Sequence, residues 1–237
     1  MTRRVLVLSY AFPPLAEPGT FRTIRFVKYL NENGWEPIVL TVTPKSYGTR
    51  VLDDGLQSQI PRDTVVVHAP IWQPAQRLWR WANRIRRTNA AGSSEAAKYV
   101  LQAEGGDGAT SLPRRSATAG AMDFLVEMGK LLFATPDTHT GWFLPACAKA
   151  VRMVRRYKPS AIYSTSPPHS AHLIAIVVGG LTGLPVILDL RDPWARGRTT
   201  GNDESRIRRA TQLRLESICV QRAARVILNT ARLREEF

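Results

Sequence analysis

Cysteine is scarce: Cys147 and Cys219 are the two in 237 residues. Neither belongs to a C-x-x-C pair and no histidine cluster accompanies them, which argues against a disulfide framework or a structural zinc site. Both fall in segments that read as helices, where a free cysteine is a small buried hydrophobe. That usage fits a reducing cytosol. Long apolar runs are also missing. The longest is Leu173 to Val178, extended by Gly179-Gly180-Leu181, well short of the ~20 residues a helix needs to cross a bilayer. Met1-Thr2-Arg3-Arg4 is basic, but the run Val5 to Leu8 is too short for a secretory signal. The expected location is the cytosol, including the cytosolic face of the plasma membrane. Without G-x-G-x-x-G there is no dinucleotide fingerprint, and without G-x-x-x-x-G-K-[ST] there is no P-loop. Acidic residues are outnumbered, 19 against 33 Lys and Arg, for a net charge of +14. Such an excess could steer nucleic acid, anionic lipid or phosphorylated substrates, or be a solvated basic surface. No nucleic-acid recognition motif supports the first of these.

What the chain does hold is an alternation of buried strands and helices. Val5-Leu6-Val7-Leu8 is a continuous aliphatic run, as in a strand covered on both faces of a parallel sheet. The loop from Tyr10 to Gly19 carries Pro13-Pro14 and cannot be helical there. Thr20 is placed to cap a helix from about Phe21 to Asn33, with Ile24, Val27 and Leu30 inward and Asn33-Gly34 closing it. Further strands are predicted at Pro37 to Val42, Val65 to Val67, Ala161 to Thr165, Pro185 to Leu190 and Arg225 to Asn229. Helices are predicted at Trp72 to Arg87, Met122 to Phe133, Gly141 to Tyr157, from after His169 to Thr182, Glu204 to Ala224, and after Thr230. Between Asn89 and Gly120 the composition turns to Ala, Gly, Ser and Thr, which reads as a flexible insertion. The expected fold is a single α/β domain over residues 1–237, Rossmann-like and doubly wound, on a mostly parallel sheet. Ligands of such folds bind at the loops that follow the strands.

Four places on that edge carry candidate chemistry. Gly19 precedes a helix, where a backbone without a side chain admits an anion to the N–H groups; the alternative is a glycine needed for the turn alone. Ser166 and His169 follow one strand, and His172 falls within the next helix; either histidine could be packed or exposed. Asp137 and His139 precede Trp142, and could face the same cleft or cap the next helix. Asp189-Leu190-Arg191-Asp192-Pro193-Trp194 concentrates polar groups at a strand end. There Asp192 or Asp189 could orient a hydroxyl, Arg191 could pair with phosphate, and Trp194 could stack on a sugar or prenyl face. The rival reading is an internal Arg–Asp pair that holds the loop. Separately, Trp72, Trp79 and Trp81 with Arg80, Arg84 and Arg87 suit a membrane-interface helix, or a helix packed on the domain.

Taken in order, the blocks resemble a known family. Tyr10-Ala11-Phe12-Pro13-Pro14 through Gly19-Thr20-Phe21-Arg22, then Phe26 to Leu30 and Gly34-Trp35, are similar to the N-terminal signature of glycosyltransferase family 4. Pro136-Asp137 with Gly141-Trp142, Ser164 to His172, Asp189 to Trp194, and Asn229-Thr230 with Leu233-Arg234 resemble its later blocks. The resemblance implies the N-terminal, acceptor-side domain of a GT-B enzyme with retaining sugar transfer. It implies a nucleotide-sugar as co-substrate, no cofactor or metal, and a glycan or lipid-linked acceptor, with a place in polysaccharide or cell-envelope assembly. By carry-over, Gly19 would lie beside the donor diphosphate. Asp137, Ser166, His169, Arg191, Asp192 and Trp194 would shape the acceptor cleft, with His169 and Asp192 as candidate catalytic groups. Many relatives have a histidine where this chain has Ser166. A separate C-terminal donor-binding domain is expected, without which the chain should not transfer sugar. The alternative is the same fold used as a non-catalytic membrane- or partner-binding module.

Overall fold

Six strands, all parallel, form one sheet in the order β3-β2-β1-β4-β5-β6. The computed structural model describes residues 3–72, 137, 139–192, 194–195 and 206–235. The helix expected at Met122 to Phe133, the insertion at 89–120 and nearly all of the stretch Trp72 to Arg87 lie outside them. The strands are β1 (Arg3–Ser9), β2 (Trp35–Val42), β3 (Val65–Ala69), β4 (Ala161–Thr165), β5 (Val186–Leu190) and β6 (Arg225–Leu228). The helices are α1 (Pro18–Glu32), α2 (Phe143–Tyr157), α3 (Ser170–Thr182), α4 (Arg206–Arg222) and the short α5 (Ala231–Glu235). Among the described residues no helix is long and apolar enough to cross a membrane.

Side-chain alternation along the strands divides the core in two. One face carries Leu6, Leu8, Ile38, Leu40, Ile162 and Leu188, packed with Ala146 and Ala150 of α2, Ile174 and Ala175 of α3, and Cys219 of α4. The other carries Val5, Val7, Val39 and Tyr163, packed under Phe26, Val27 and Leu30 of α1. Burial of Cys147 and Cys219 pushes their thiols up to about 11 and about 12, so both remain protonated hydrophobes, as their place in the core requires.

Helix boundaries follow local chemistry. α1 starts at Pro18, whose fixed φ suits the first helical position. Thr20 therefore lies inside the first turn; the expected cap moves to Glu17, which makes no side-chain capping bond. Gly34 takes a φ of 74° just past the end of α1, a left-handed conformation that costs glycine little. α2 is preceded by a 3₁₀ turn at Thr140–Trp142 and ends with Lys158 left-handed, one residue before Pro159. α5 begins after Thr230, whose hydroxyl accepts the Leu233 N–H at 3.1 Å.

The strand order sets where a ligand can sit. From β1 the chain leaves toward β2 on one side, and from β4 toward β5 on the other. Their C-terminal ends, Ser9 and Thr165, are register neighbours. The connections after them depart in opposite directions and leave a crevice between, the topological switch point of a doubly wound sheet.

Candidate functional site

The loop from Tyr10 to Glu17 forms one wall of the crevice and is tied down at several points. The Tyr47 hydroxyl donates to the carbonyls of Tyr10 (2.9 Å) and Phe12 (3.0 Å), and the Thr41 hydroxyl to that of Tyr10 (3.1 Å). Ala16 N–H bonds the Val51 carbonyl at 2.9 Å, and Asp53 N–H the Pro14 carbonyl at 2.7 Å. Glu17 pairs with Arg50 at 3.1 Å, and the Arg50 guanidinium lies over the Tyr10 ring. A loop held this way presents Gly19 in a fixed position.

Gly19 has no room for a side chain. A Cβ there would stand 2.8 Å from Arg191 Nη1 and 3.0 Å from the Ala11 Cβ. The first turn of α1 offers few free donors. Pro18 has no N–H, and those of Thr20 and Phe21 return to the Glu17 carbonyl at 2.9 and 3.4 Å. Among the described residues the Gly19 N–H has no such partner. One backbone donor, a helix N-terminus and a guanidinium therefore meet at Gly19.

Asp189, at the end of β5, is fully buried and accepts four hydrogen bonds. Arg22 donates Nε to Oδ2 (3.0 Å) and Nη2 to Oδ1 (2.8 Å). The Tyr163 and Thr165 hydroxyls donate to Oδ2 at 2.6 and 3.0 Å. Burial would raise the Asp189 pKa, but these donors and the Arg22 charge outweigh it and hold the carboxyl below its ordinary value. The internal pair anticipated for the Asp189–Trp194 block thus forms with Arg22 of α1, not with Arg191. Arg191 is left to lie against Gly19. Periodicity offered no signal for a pair separated by 167 residues.

The third wall is the start of α3. His169, at the N-cap, makes no side-chain capping bond. Asp137 supplies one from outside: its Oδ2 accepts the Ser170 N–H at 2.8 Å, and its Oδ1 the His139 N–H at 2.8 Å. Burial opposes the Asp137 charge, but its bonds to His139 and Ser170 leave its pKa lowered. Both carboxylate oxygens thus serve the loop and helix. His139 sits at 3.6 Å from Asp137 through Nδ1, and its ring lies 4.4 Å from that of Tyr10.

His169 is 8 % exposed and lies parallel to Trp194 at 4.9 Å. Trp194 is 1 % exposed; its indole backs the histidine and has no open face for a sugar. Its segment is anchored by Ala195 N–H on the buried Glu216 carboxylate of α4, at 2.7 Å. His172 is fully buried, with Nδ1 2.7 Å from the Ser164 hydroxyl, and burial depresses its pKa to about 3. It is a packed histidine. Asp192 is exposed.

Sequence reasoning missed several polar groups here. Arg22, Tyr163 and Thr165 form the Asp189 network. The buried hydroxyls of Ser170, of Thr20, expected as a cap, and of Ser166, expected at the acceptor cleft, have no hydrogen-bond partner among the described residues. Each such group costs about 1–3 kcal/mol. Of the residues expected at a membrane, Trp72 is exposed and its backbone N–H bonds the Gly141 carbonyl at 2.9 Å. Trp79, Arg80, Trp81, Arg84 and Arg87 lie outside the described residues.

Comparison with known proteins gives a match to the glycosyl transferase 4-like domain over residues 21–237. Solved structures similar to the chain include MurG of Acinetobacter baumannii, with 12% identity and a TM-score of 0.41, over 95% of this chain and 41% of that one. UGT2 of Phytolacca americana, complexed with UDP-2-fluoro-glucose and pterostilbene, is similar at 12% identity and a TM-score of 0.40, over 81% of this chain and 31% of that one. The glycosyltransferase SsfS6 of Streptomyces sp. SF2575 is similar at 14% identity and a TM-score of 0.38, over 84% and 41% respectively. The chain spans less than half the length of each. No curated protein matches it.

Proposed function

The chain belongs to the glycosyl transferase 4-like family, and on that premise we propose that it is the N-terminal, acceptor-side half of a retaining, nucleotide-sugar-dependent glycosyltransferase. Its acceptor in this reading is a glycan or a lipid-linked saccharide, met at the cytosolic face of a membrane. Transfer would then need a donor-binding half in addition.

One observation carries the reading: Gly19 and Arg191 touch at the switch point of the sheet. A diphosphate placed there would meet the Gly19 N–H, the positive end of α1 and a guanidinium together. Fixed donors of this kind stabilise the charge that develops on a leaving diphosphate. In retaining transfer that diphosphate can itself take the acceptor proton, so no protein base is required. The acceptor would lie across Ser166, His169 and Asp192. His169 is held in orientation by Trp194, and Asp137 fixes the helix start beside it.

Amide spectra of the labelled chain, titrated with millimolar UDP-, GDP- and dTDP-sugars, test this. The Gly19 and Thr20 resonances and the Arg191 side chain are expected to shift with at least one donor. Gly19→Val, which forces a side chain into the Arg191 guanidinium, is expected to abolish the shifts while the fold persists. Spectra indifferent to every donor would remove the reading, and robust turnover by the chain alone would remove its need for a second half.

A further inference from the structure

α1 has an apolar stripe toward the core and a second stripe of aromatic and arginine side chains. Ile24 and Val27 point into the core. A second stripe at helical spacing, Phe21, Arg25 and Tyr29 with Arg22 and Phe26 beside it, borders a groove of about 670 Å³. The opposite wall is the sheet, through Tyr163 and Ile227. Register explains why the sheet is open there. Tyr163, Ile187 and Arg225 form one row on the α1 face, and Thr165, Asp189 and Ile227 the next. α1 packs over β1, β2 and β4 and reaches Ile187 of β5, while Arg225 and Ile227 of β6 stay exposed on this side, although parallel sheets are normally covered on both faces. Phe21 is 44 % exposed, Tyr29 59 % and Ile227 38 %.

The charge of the groove has one sign. Arg22 is engaged by Asp189. Arg25 is exposed and makes no hydrogen bond or ion pair among the described residues, and Arg225 lies two residues before Ile227 on the same sheet face. No described carboxylate lines the groove. Its volume falls in the small-ligand range of roughly 300–1,000 Å³, and its stripe from Pro18 to Tyr29 runs roughly 16 Å along the helix. Exposed aromatics beside the Arg25 guanidinium suit an apolar chain that ends in an anion.

We propose that this groove binds a single lipid phosphate, its hydrocarbon chain lying between Phe21, Tyr29 and Ile227 and its phosphate meeting Arg25. Phosphate at this position is reached by a monodentate or bidentate guanidinium contact, and the chain displaces water from the aromatic stripe. The groove shares Pro18 and Arg22 with the rim of the sugar-transfer crevice, but the proposal needs neither a sugar donor nor a transfer step.

Calorimetric titration of the chain with dodecyl phosphate, below its micelle concentration, tests the proposal. Saturable binding is expected. Arg25→Glu and Phe21→Ser, both at exposed positions, should each weaken it at least tenfold with the circular dichroism and melting temperature unchanged, and Arg25→Lys should restore part of the loss. Inorganic phosphate should not compete. Binding unaffected by either substitution would overturn the proposal. So would equal affinity for dodecyl maltoside, preferential capture of an acidic amphipathic peptide, or binding to phosphatidylglycerol vesicles with none to the monomeric lipid. Because no donor or transfer is involved, a negative result here leaves the sugar-transfer reading standing, and the converse holds.

Discussion

Arg22→Ala strips Asp189 of the guanidinium that holds both of its oxygens. The carboxylate stays fully buried, with Tyr163 and Thr165 as its remaining donors. Breaking a buried pair costs about 3–5 kcal/mol when one partner is removed. Here the Arg22 side chain is 41 % exposed and two neutral donors survive, so the expected loss is smaller, about 2 kcal/mol in urea unfolding at neutral pH. A loss below ~0.5 kcal/mol would mean that the pair does not hold the β5 end. His172 gives the pH dependence. Its folded pKa is depressed from 6.5 to about 3, so between those values the unfolded chain binds a proton that the native state refuses. Its contribution is complete above pH 6.5 and is lost as pH falls toward 3, at up to about 1.4 kcal/mol per pH unit. The gap between unfolding free energies at pH 7 and 5 should therefore narrow in His172→Gln, which cannot titrate, while His68, whose pKa burial and Lys149 also lower, keeps part of the slope. An unchanged pH slope in that variant would assign the acid sensitivity elsewhere. A packed His172 was one of the two readings its sequence allowed, but the Arg22 partner of Asp189 was not legible from spacing. Asp189 and His172 were visible as polar residues near a strand end and in an apolar helix, but burial and distant partners decide what they do, and those arise only when β5, β4 and α1 come together.

Between elements, α3 approaches β5 closely at Gly179. A Cβ added at Gly179 would collide with the Val186 side chain and stand 3.1 Å from the Leu184 carbonyl. Val186 is branched at Cβ and sits on a central strand, so it cannot rotate away freely. Gly179→Ala is expected to destabilise the chain by about 1–3 kcal/mol through overpacking, despite alanine's better helix propensity. Gly180→Ala, one residue along, meets nothing within 4 Å and should be neutral or slightly stabilising. Thermal melts of the two variants check this; equal melting temperatures would show that the helix can move off the strand. At this scale the sequence was largely readable. Val5 to Leu8 and Ile38 to Val42 declared buried strands because parallel sheets leave no polar side. Gly34 marked a helix end through its positive φ. Where the reading slipped, a local rule had a competitor: Thr20 looked like a cap, but Pro18 begins the helix two residues earlier. The Asp137 link to Ser170 escaped notice because the cap comes from 33 residues away.

For the whole molecule, the six-strand order places Gly19, His169 and Arg191 at one edge, which the alternation of strands and helices foretold and no single motif could. The charge is the other global property. Thirty-three basic residues against 19 acidic ones leave a net +14, while most ion pairs among the described residues are partly exposed. Arg152, Arg155, Arg156 and Lys158 crowd the exposed end of α2, and Arg206 and Arg214 stand out from α4. Compacting that excess raises self-repulsion in the native state more than in an expanded chain. Salt shortens the range over which it acts, with a Debye length of about 10 Å at 0.1 M and about 3 Å at 1 M. Raising sodium chloride from 20 to 500 mM is therefore expected to stabilise the chain by about 1 kcal/mol, or ~3 °C in melting temperature. Sodium sulfate would confuse the result by favouring burial generally, so the comparison is made with chloride. The gain comes from the long-range field, so Arg155→Glu with Arg156→Glu, which lowers the charge by four units, should raise the melting temperature at low salt and flatten its salt dependence. A melting temperature that falls with chloride would mean that the local pairs outweigh the field, and the basic surface would then be a balanced one.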